Sequence, residues 1–222
     1  MGHKKLSWLT RSGHVLMVFF RLGRAALQIA RGVWYLSGLK QPVVTIFGGS
    51  RLSSEDRYSK IAHELGHALT HQGISVITGA GPGVMAAANC GAARHPSMNI
   101  GIGLTGLESE QQKNSCVSIY LETGFLFGRK WLLMEYSQVL VFFPGGFGTL
   151  DELTEILTLF QTGRRAPIPV ILVGEQYWRS LLTWLQDQPT QMSLIDVKNL
   201  ATVTILDDFD HIFNLIIESV TI

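Results

Sequence analysis

The sequence predicts an α/β protein, a Rossmann-like doubly wound parallel sheet with helices on both faces, plus an N-terminal helical extension. Three observations support this fold class. From residue 43 onward, short apolar runs alternate with helix-length amphipathic segments. The runs lack polar alternation, which is typical of strands buried on both faces. Glycine clusters follow three of the runs, and ligands of such sheets bind at the carboxyl ends of the strands.

The alternation predicts seven strands and six helices after residue 40. The strands are predicted at 43–47, 75–78, 99–104, 118–121, 138–143, 169–173 and 203–206. The helices are predicted at 55–72, 82–93, 128–136, 150–161, 177–187 and 209–218. We therefore divide the chain into an extension, residues 1–40, and a Rossmann-like domain, residues 41–222.

Composition excludes several classes of protein. The chain has 222 residues, of which 46% are hydrophobic and 16% charged, as expected for one well-packed domain. Its net charge is +1, so no global basic field indicates nucleic acid as a partner. The charge is nevertheless uneven. Residues 1–54 carry eight Lys and Arg and no acidic residue, which leaves the remainder with a net charge of −7.

The two cysteines and the start of the chain indicate the cellular compartment. Cys90 and Cys116 form no CxxC pair, and two cysteines do not make a disulfide framework, which favours a reduced, cytoplasmic compartment. The longest apolar run near the start covers residues 15–20, which is too short for a membrane span or a signal peptide.

The extension has two interpretations. Residues 15–36 are predicted to form one or two helices, with basic residues at 21, 24 and 31 and aromatic residues at 19, 20, 34 and 35. Such a helix could pack on the domain or on a partner subunit. It could also make a peripheral membrane contact on an anionic surface, with basic groups among the headgroups and aromatic rings below them.

A glycine-rich turn after the fifth strand predicts a phosphate site. It contains Gly145, Gly146 and Gly148, and Thr149 follows at the start of a helix. Glycines allow backbone N–H groups to approach an anion closely, and a helix N-terminus adds the positive end of its dipole.

Two more glycine clusters are predicted at the same edge of the sheet. Gly49 and Ser50 follow the first strand, and Gly79 and Gly81 follow the second. Three such loops favour one nucleotide-sized site. Neither the dinucleotide pattern GxGxxG nor the P-loop pattern GxxxxGK[ST] is present.

Charged residues near this edge are candidates for chemistry. Arg129 and Lys130 begin the helix before the fifth strand, where two cations could hold a phosphate or assist a leaving base. Glu152 follows the glycine turn and would place a carboxylate beside the ligand. Each has a simpler interpretation. The cations could be solvated helix charges, and Thr149 with Glu152 matches a capping box.

The segment His63-Glu64-Leu65-Gly66-His67 matches the zinc-protease pattern HExxH. The pattern arises easily by chance, and no third ligand follows in the expected context. Its helix is also predicted to run away from the glycine loops. We therefore predict no metal site.

The turn 145–152, with Arg129-Lys130 before it, resembles the paired signature of the LONELY GUY family of cytokinin-activating phosphoribohydrolases, often labelled lysine decarboxylases. Residues 78–89 are similar to the family's second glycine loop, and Gln161-Thr162-Gly163 also fits. The resemblance covers about residues 43–185. Ala80 and Ala86 stand where many members carry glycine and glutamate, which leaves the preferred base open.

The resemblance implies hydrolysis of the N-glycosidic bond of a nucleoside 5′-monophosphate, either AMP or an N6-modified AMP. Arg129 and Glu152 would be catalytic. The glycine turn with Thr149 and Lys130 would bind the phosphate, and Gly49, Ser50, Gly79 and Gly81 would line the nucleoside. No cofactor or metal is implied. The family completes its site across a homodimer, so we expect a homodimer or a higher homo-oligomer.

A binding protein is the alternative. The same fold could hold a nucleotide, an alarmone or a molybdenum cofactor without turning it over, because fold does not determine function. The presence of Arg129 and Glu152 favours an enzyme, since a carboxylate beside a bound anion repels it.

Overall fold

The computed structural model describes residues 8–106 and 114–220, so residues 1–7 of the predicted extension, 107–113 and 221–222 lie outside the described residues. The strands are β1 (Val43–Phe47), β2 (Ser75–Thr78), β3 (Asn99–Leu104), β4 (Ile119–Thr123), β5 (Val139–Phe142), β6 (Val170–Val173) and β7 (Val203–Leu206). The helices are α1 (Trp8–Ser37), α2 (Arg57–His71), α3 (Val84–Ala92), α4 (Leu126–Glu135), α5 (Phe147–Gln161), α6 (Glu175–Asp187) and α7 (Phe209–Val220). Two short 3₁₀ helices cover Pro96–Met98 and Val197–Leu200.

The seven strands form one parallel sheet in the order β4-β3-β2-β1-β5-β6-β7. The chain builds outward from β1 to β4 and then returns to place β5 beside β1, with Phe47 opposite Phe142. The direction of winding therefore reverses between β1 and β5. Ligands of doubly wound sheets bind outside the carboxyl ends of the strands at such a switch point.

The sheet is covered on both faces, which confirms the predicted fold class. On one face Ile46 and Val141 lie in a buried cluster with side chains of α2, α3 and α7. On the other face Phe47 and Phe142 stack with their ring centroids 4.5 Å apart. Side chains of α4, α5 and α6 complete that second cluster. Successive strand residues point to opposite faces, so β1, β2, β5, β6 and β7 each contribute to both clusters.

The boundaries of the elements follow the sequence closely, with one informative difference. The limits of β1, β2, β3 and β7 are those predicted, and residues 15–36 lie within the single 30-residue helix α1. Helix α5 begins at Phe147, three residues before the predicted start. The last part of the glycine turn is therefore already helical.

Helix α1 packs on the domain through its C-terminal part. Ala25 and Leu36 are buried, and a Cβ on Gly32 would lie 2.5 Å from a Leu132 methyl group of α4. In contrast, every residue from 15 to 24 is exposed. None of the helices in the described ranges has the length and hydropathy that crossing a membrane requires.

The structure joins Cys90 and Cys116 in a disulfide, with their Cα atoms 4.8 Å apart. The bond connects α3 to the segment that leads into β4. This pairing was not predicted, because two cysteines 26 residues apart in the sequence carry no signal of proximity. Only the pairing of β2, β3 and β4 brings the two positions together.

Reduction of this disulfide is expected to lower the free energy of unfolding by roughly 3 to 4 kcal/mol, because it frees a loop of this length in the unfolded chain. Urea unfolding with and without reductant measures the change. The double variant Cys90→Ser, Cys116→Ser is the control, and its stability should not respond to reductant. Two reactive thiols in the native, unreduced protein would contradict the bond.

Candidate functional site

Three glycine loops meet at the switch point. They are loop 1 after β1 (residues 48–50), loop 2 after β2 (79–83) and loop 3 after β5 (144–148). The Gly49 N–H donates to the Pro144 carbonyl over 2.9 Å, and the Val84 N–H donates to the Gly49 carbonyl over 3.2 Å. Backbone hydrogen bonds therefore connect loop 1 to both of its neighbours and set the spacing of the three loops.

A cleft of about 1010 Å³ opens between these loops, which is enough for a nucleotide-sized ligand. All but one of the predicted site residues line it. They are Gly49, Ser50, Gly79, Gly81, Arg129, Gly145, Gly146, Gly148, Thr149 and Glu152. The fold thus brings together residues that are up to 103 positions apart in the sequence.

Lys130 is the exception. Its side chain is buried, and its Nζ lies 2.5 Å from Asp151 Oδ2 and 2.8 Å from Glu155 Oε2, both on α5. Lys130 does not line the cleft. Its position therefore does not support the prediction that it holds the phosphate. Adjacent helical residues point about 100° apart, so Arg129 and Lys130 cannot share one direction.

The glycines of loop 3 differ in how much space a side chain would have. A Cβ on Gly145 would lie 2.1 Å from Thr149 Oγ1, so the packing of the protein itself requires glycine there. A Cβ on Gly146 or Gly148 would meet nothing within 4 Å. At these two positions the protein has room for a side chain. An added methyl group would occupy the space of the cleft instead.

The N-terminus of α5 faces the cleft without a side-chain cap. Its N-cap residue is Gly146, and no side chain accepts a hydrogen bond at that end. The capping-box interpretation is therefore wrong, because Thr149 is the third residue of the helix and not its cap. First-turn N–H groups have no acceptor within the helix, and together with the helix dipole they favour an anion.

Arg129 is held in place by one backbone carbonyl group of β3 and one of loop 2. Its Nε donates to the Ile102 carbonyl over 3.0 Å, and its Nη2 donates to the Gly79 carbonyl over 3.1 Å. Gly79 must be glycine for this, since a Cβ there would lie 2.0 Å from Nη2. The guanidinium is thus fixed at the wall of the cleft before any ligand arrives.

Glu152 is a buried carboxyl group at the base of the cleft, with 8% of the residue exposed. Burial raises its pKa from the ordinary 4.5 to about 7. The positive charges of Arg129 and Lys130 oppose this rise, while the carboxylates of Asp151 and Glu155 add to it. A carboxyl group with a pKa near 7 can exchange a proton at neutral pH.

A buried polar network supports loop 2. Asn89 of α3 accepts a hydrogen bond from Thr78 Oγ1 over 2.6 Å, and Asn114 donates to Asn89 and to the Gly81 carbonyl. Thr78 Oγ1 also accepts from the Ala80 N–H. Ala80 has φ = 58°, a left-handed conformation that is unfavourable for a residue with a Cβ. These hydrogen bonds hold the loop in that conformation.

Several residues of the cleft were missed from the sequence. They are Arg51, Leu52, Asp56, Tyr58, Met85, Phe147, Leu150 and Tyr177, together with Gly48 and Pro144 of the loops. Asp56 had a local signal, because it caps α2 by accepting from the Tyr58 N–H over 2.8 Å. Tyr177 had none. It comes from α6, and its hydroxyl donates to the Gly145 carbonyl.

The HExxH segment lies on α2, away from the cleft, where Gly66 contacts the backbone of α3. His63, Glu64 and His67 are exposed. Within the described ranges, no group of three or more His, Cys, Asp or Glu side chains is placed to hold a metal ion.

Comparison with known proteins places the chain in a family. The family described as "Possible lysine decarboxylase" matches residues 85–216, which is more than half of the chain. The chain therefore belongs to this family, which contains the LONELY GUY proteins.

Two curated relatives illustrate the similarity. The chain is 28% identical over 146 residues to the cytokinin riboside 5′-monophosphate phosphoribohydrolase LOG1 of Arabidopsis thaliana, covering 64% of this chain and 67% of that protein. It is 28% identical over 155 residues to the probable phosphoribohydrolase LOGL3 of Oryza sativa subsp. japonica, covering 68% of this chain and 71% of that protein.

Two solved structures share the fold. The molybdenum cofactor carrier protein of Chlamydomonas reinhardtii aligns with a TM-score of 0.62 at 22% identity, covering 82% of this chain and 100% of that chain. The molybdenum cofactor binding protein of Rippkaea orientalis aligns with a TM-score of 0.56 at 24% identity, covering 82% and 98%. At these identities the likeness concerns the fold alone.

The raised pKa of Glu152 is expected to make stability depend on pH. The folded state keeps the proton up to about pH 7, whereas the unfolded state loses it near 4.5, so the free energy of unfolding falls as pH rises between these values. Urea unfolding of wild type and Glu152→Gln at pH 5 and pH 8 isolates the effect. Between pH 5 and pH 8, the free energy of unfolding of wild type should fall by about 2 to 3 kcal/mol relative to that of the variant. A difference that stays constant with pH would contradict the raised pKa.

Gly146→Ala is expected to leave the fold intact, because its Cβ meets no protein atom, but to weaken binding of a phosphate group. The measurement is the rise in Tm caused by inorganic phosphate, compared with chloride at matched ionic strength. Gly23→Ala, an equally open glycine on α1, is the matched control. Equal protection of all three proteins by phosphate would exclude loop 3 as the anion site.

Proposed function

We propose that this protein is a phosphoribohydrolase that cleaves the N-glycosidic bond of AMP or an N6-modified AMP, releasing the free base and ribose 5-phosphate. The observation that carries the proposal is the meeting of three features in one cleft. An uncapped helix N-terminus, a braced arginine and a buried carboxyl group face the same space. Membership of the family and the names of its curated relatives agree with this chemistry.

The 5′-phosphate is assigned to loop 3. The first turn of α5 offers backbone N–H groups and a positive dipole end, and Gly146 and Gly148 leave the approach open. Loops 1 and 2 then lie beside the ribose and the base. In this orientation the glycosidic bond is directed toward the wall formed by Arg129 and Glu152.

The reaction breaks the bond between C1′ and the base nitrogen, and its electron pair leaves with the base. C1′ acquires positive, oxocarbenium-like character, which the ionised Glu152 carboxylate stabilises. A water oxygen bonds to C1′ and gives its proton to Glu152. The departing base nitrogen takes up a proton from solvent, to which Glu152 later returns the water's proton, and Arg129 orients the base as it leaves. A pKa near 7 lets Glu152 hold the water's proton and then release it.

The decarboxylase in the family's description does not fit this site. Pyridoxal chemistry needs a lysine that forms a Schiff base with the cofactor. No lysine is among the residues that line the cleft in the described part of the chain, and the nearby Lys130 is paired with two carboxylates. The residues of the cleft therefore do not fit a pyridoxal cofactor.

A non-catalytic carrier of the same fold would bind the nucleotide and leave it unchanged. What distinguishes the two functions is Glu152. A buried carboxylate beside an anionic ligand weakens binding by charge repulsion, and a carrier has no reaction in which the carboxylate would take part. A hydrolase needs it in order to stabilise positive charge on the sugar.

The proposal predicts that the purified protein releases base and ribose 5-phosphate from AMP or from N6-isopentenyl-AMP, as followed by chromatography. Glu152→Gln should lower kcat by about 10² to 10⁴-fold while retaining nucleotide binding. Activity of the wild type should rise with pH up to about 7, since the ionised carboxylate is the active form.

Glu155→Gln is the matched control. Glu155 lies one turn further along α5 and pairs with Lys130 instead of lining the cleft, so its variant should keep activity within a few-fold of wild type. Nucleotide binding without base release, from a folded protein tested on a panel of nucleoside monophosphates, would show a carrier. The homodimer is part of the proposal, and light scattering of the same samples measures it.

A further inference from the structure

Helix α1 presents two different sides. Toward the domain it places Ala25, Gly32 and Leu36, all buried, with Ile29 against Gly128 of α4. These residues recur every three or four positions and so form one helical face. Because this face is held against the domain, the orientation of the rest of the helix is determined.

The opposite side of α1 carries an apolar stripe, which we define as Leu16, Phe20, Leu27 and Trp34. Their exposed fractions are 70%, 74%, 75% and 78%. Spacings of four and seven residues, at about 100° per residue, keep all four within about 40° of one direction, on the side away from the domain. The stripe is about 27 Å long.

Between residues 15 and 22 of α1, exposed apolar side chains extend beyond the stripe to other sides of the helix. Val15, Met17, Phe19 and Leu22 are between 46% and 68% exposed, in addition to the stripe. Single exposed apolar residues are common, but a contiguous set of this extent is a mark of an interaction surface. The described part of the protomer does not cover it.

The charges of this region select the partner. Arg21, Arg24 and Arg31 of α1 are exposed, and the first 54 residues contain no Asp or Glu. Arg24 and Arg31 lie on one flank of the stripe, rotated about 20° to 80° around the helix axis from its members. From there a long arginine side chain can reach a lipid headgroup while the stripe lies in the bilayer. A second copy of the same surface would bring like charges together, whereas an anionic bilayer attracts them.

We infer that α1 lies in the surface plane of an anionic lipid bilayer and docks the protein on it. The stripe enters the boundary between headgroups and acyl chains, and the flanking arginines contact lipid phosphates. The buried face remains against α4, so docking requires no rearrangement of the domain. The inference is independent of the reaction in the cleft.

The test is co-sedimentation of the full chain with vesicles of phosphatidylcholine and phosphatidylserine, and with vesicles of phosphatidylcholine alone. Wild type should bind the first, much less the second, and less at high salt. The variant Phe20→Ser, Leu27→Ser should bind roughly 100-fold more weakly because two large apolar groups are lost. Arg24→Gln, Arg31→Gln should bind about 30-fold more weakly.

Matched controls carry the same kinds of change elsewhere. Trp184→Ser, Met192→Ser removes two exposed apolar side chains, and Arg164→Gln, Arg179→Gln removes two exposed arginines, all outside α1. Both controls should bind vesicles as wild type does. Equal binding by wild type and the stripe variant would overturn the inference. A second result would also overturn it: wild type does not bind vesicles, and the stripe variant forms a smaller oligomer than wild type in light scattering. In that case the stripe would be covered by a second copy of the chain.

Discussion

The cleft depends on how closely the backbones of loops 1 and 3 approach each other across the switch point. β1 and β5 are hydrogen-bonded neighbours, and the Gly49 N–H continues that pairing beyond the strands by donating to the Pro144 carbonyl. The close contact of Gly145 with Thr149 leaves no room for a side chain at this crossing. Loop 2 is then connected to loop 1 through Val84. The functional side chains are arranged around a frame made of backbone.

The arrangement of charges around the cleft depends on these backbone positions. Helix α5 starts inside loop 3, so its N-terminus points at the cleft while its second turn places Glu152 below it. The same helix also presents Asp151 and Glu155 to Lys130, which neutralises the buried ammonium group. One helix thereby supplies an uncapped N-terminus that favours an anion, a carboxyl group of raised pKa and the acidic partners of a structural ion pair. Which role each acidic residue takes depends on the direction in which it points.

The sequence predicted the parts of the site that have a local signature. Apolar runs followed by glycines identified the loops, and the parallel topology placed all of them at one edge. The directions of neighbouring side chains were harder to predict. Lys130 was assigned to the phosphate because Arg129 stands beside it, and a capping box was the simpler alternative for Thr149 because Glu152 follows it at the right spacing. The exact start and rotation of a helix decide both outcomes.

Taken by itself, the sequence determined the fold class, the positions of the strands and the identity of the glycine loops, because hydrophobic periodicity and glycine content act over short stretches of chain. Only the tertiary structure decided the pairing of Cys90 with Cys116, the inclusion of Tyr177 in the cleft and the burial of Glu152. Each of these depends on elements distant in the sequence packing together. Burial and its effect on a pKa are properties of a surrounding volume, which no local pattern of residues encodes.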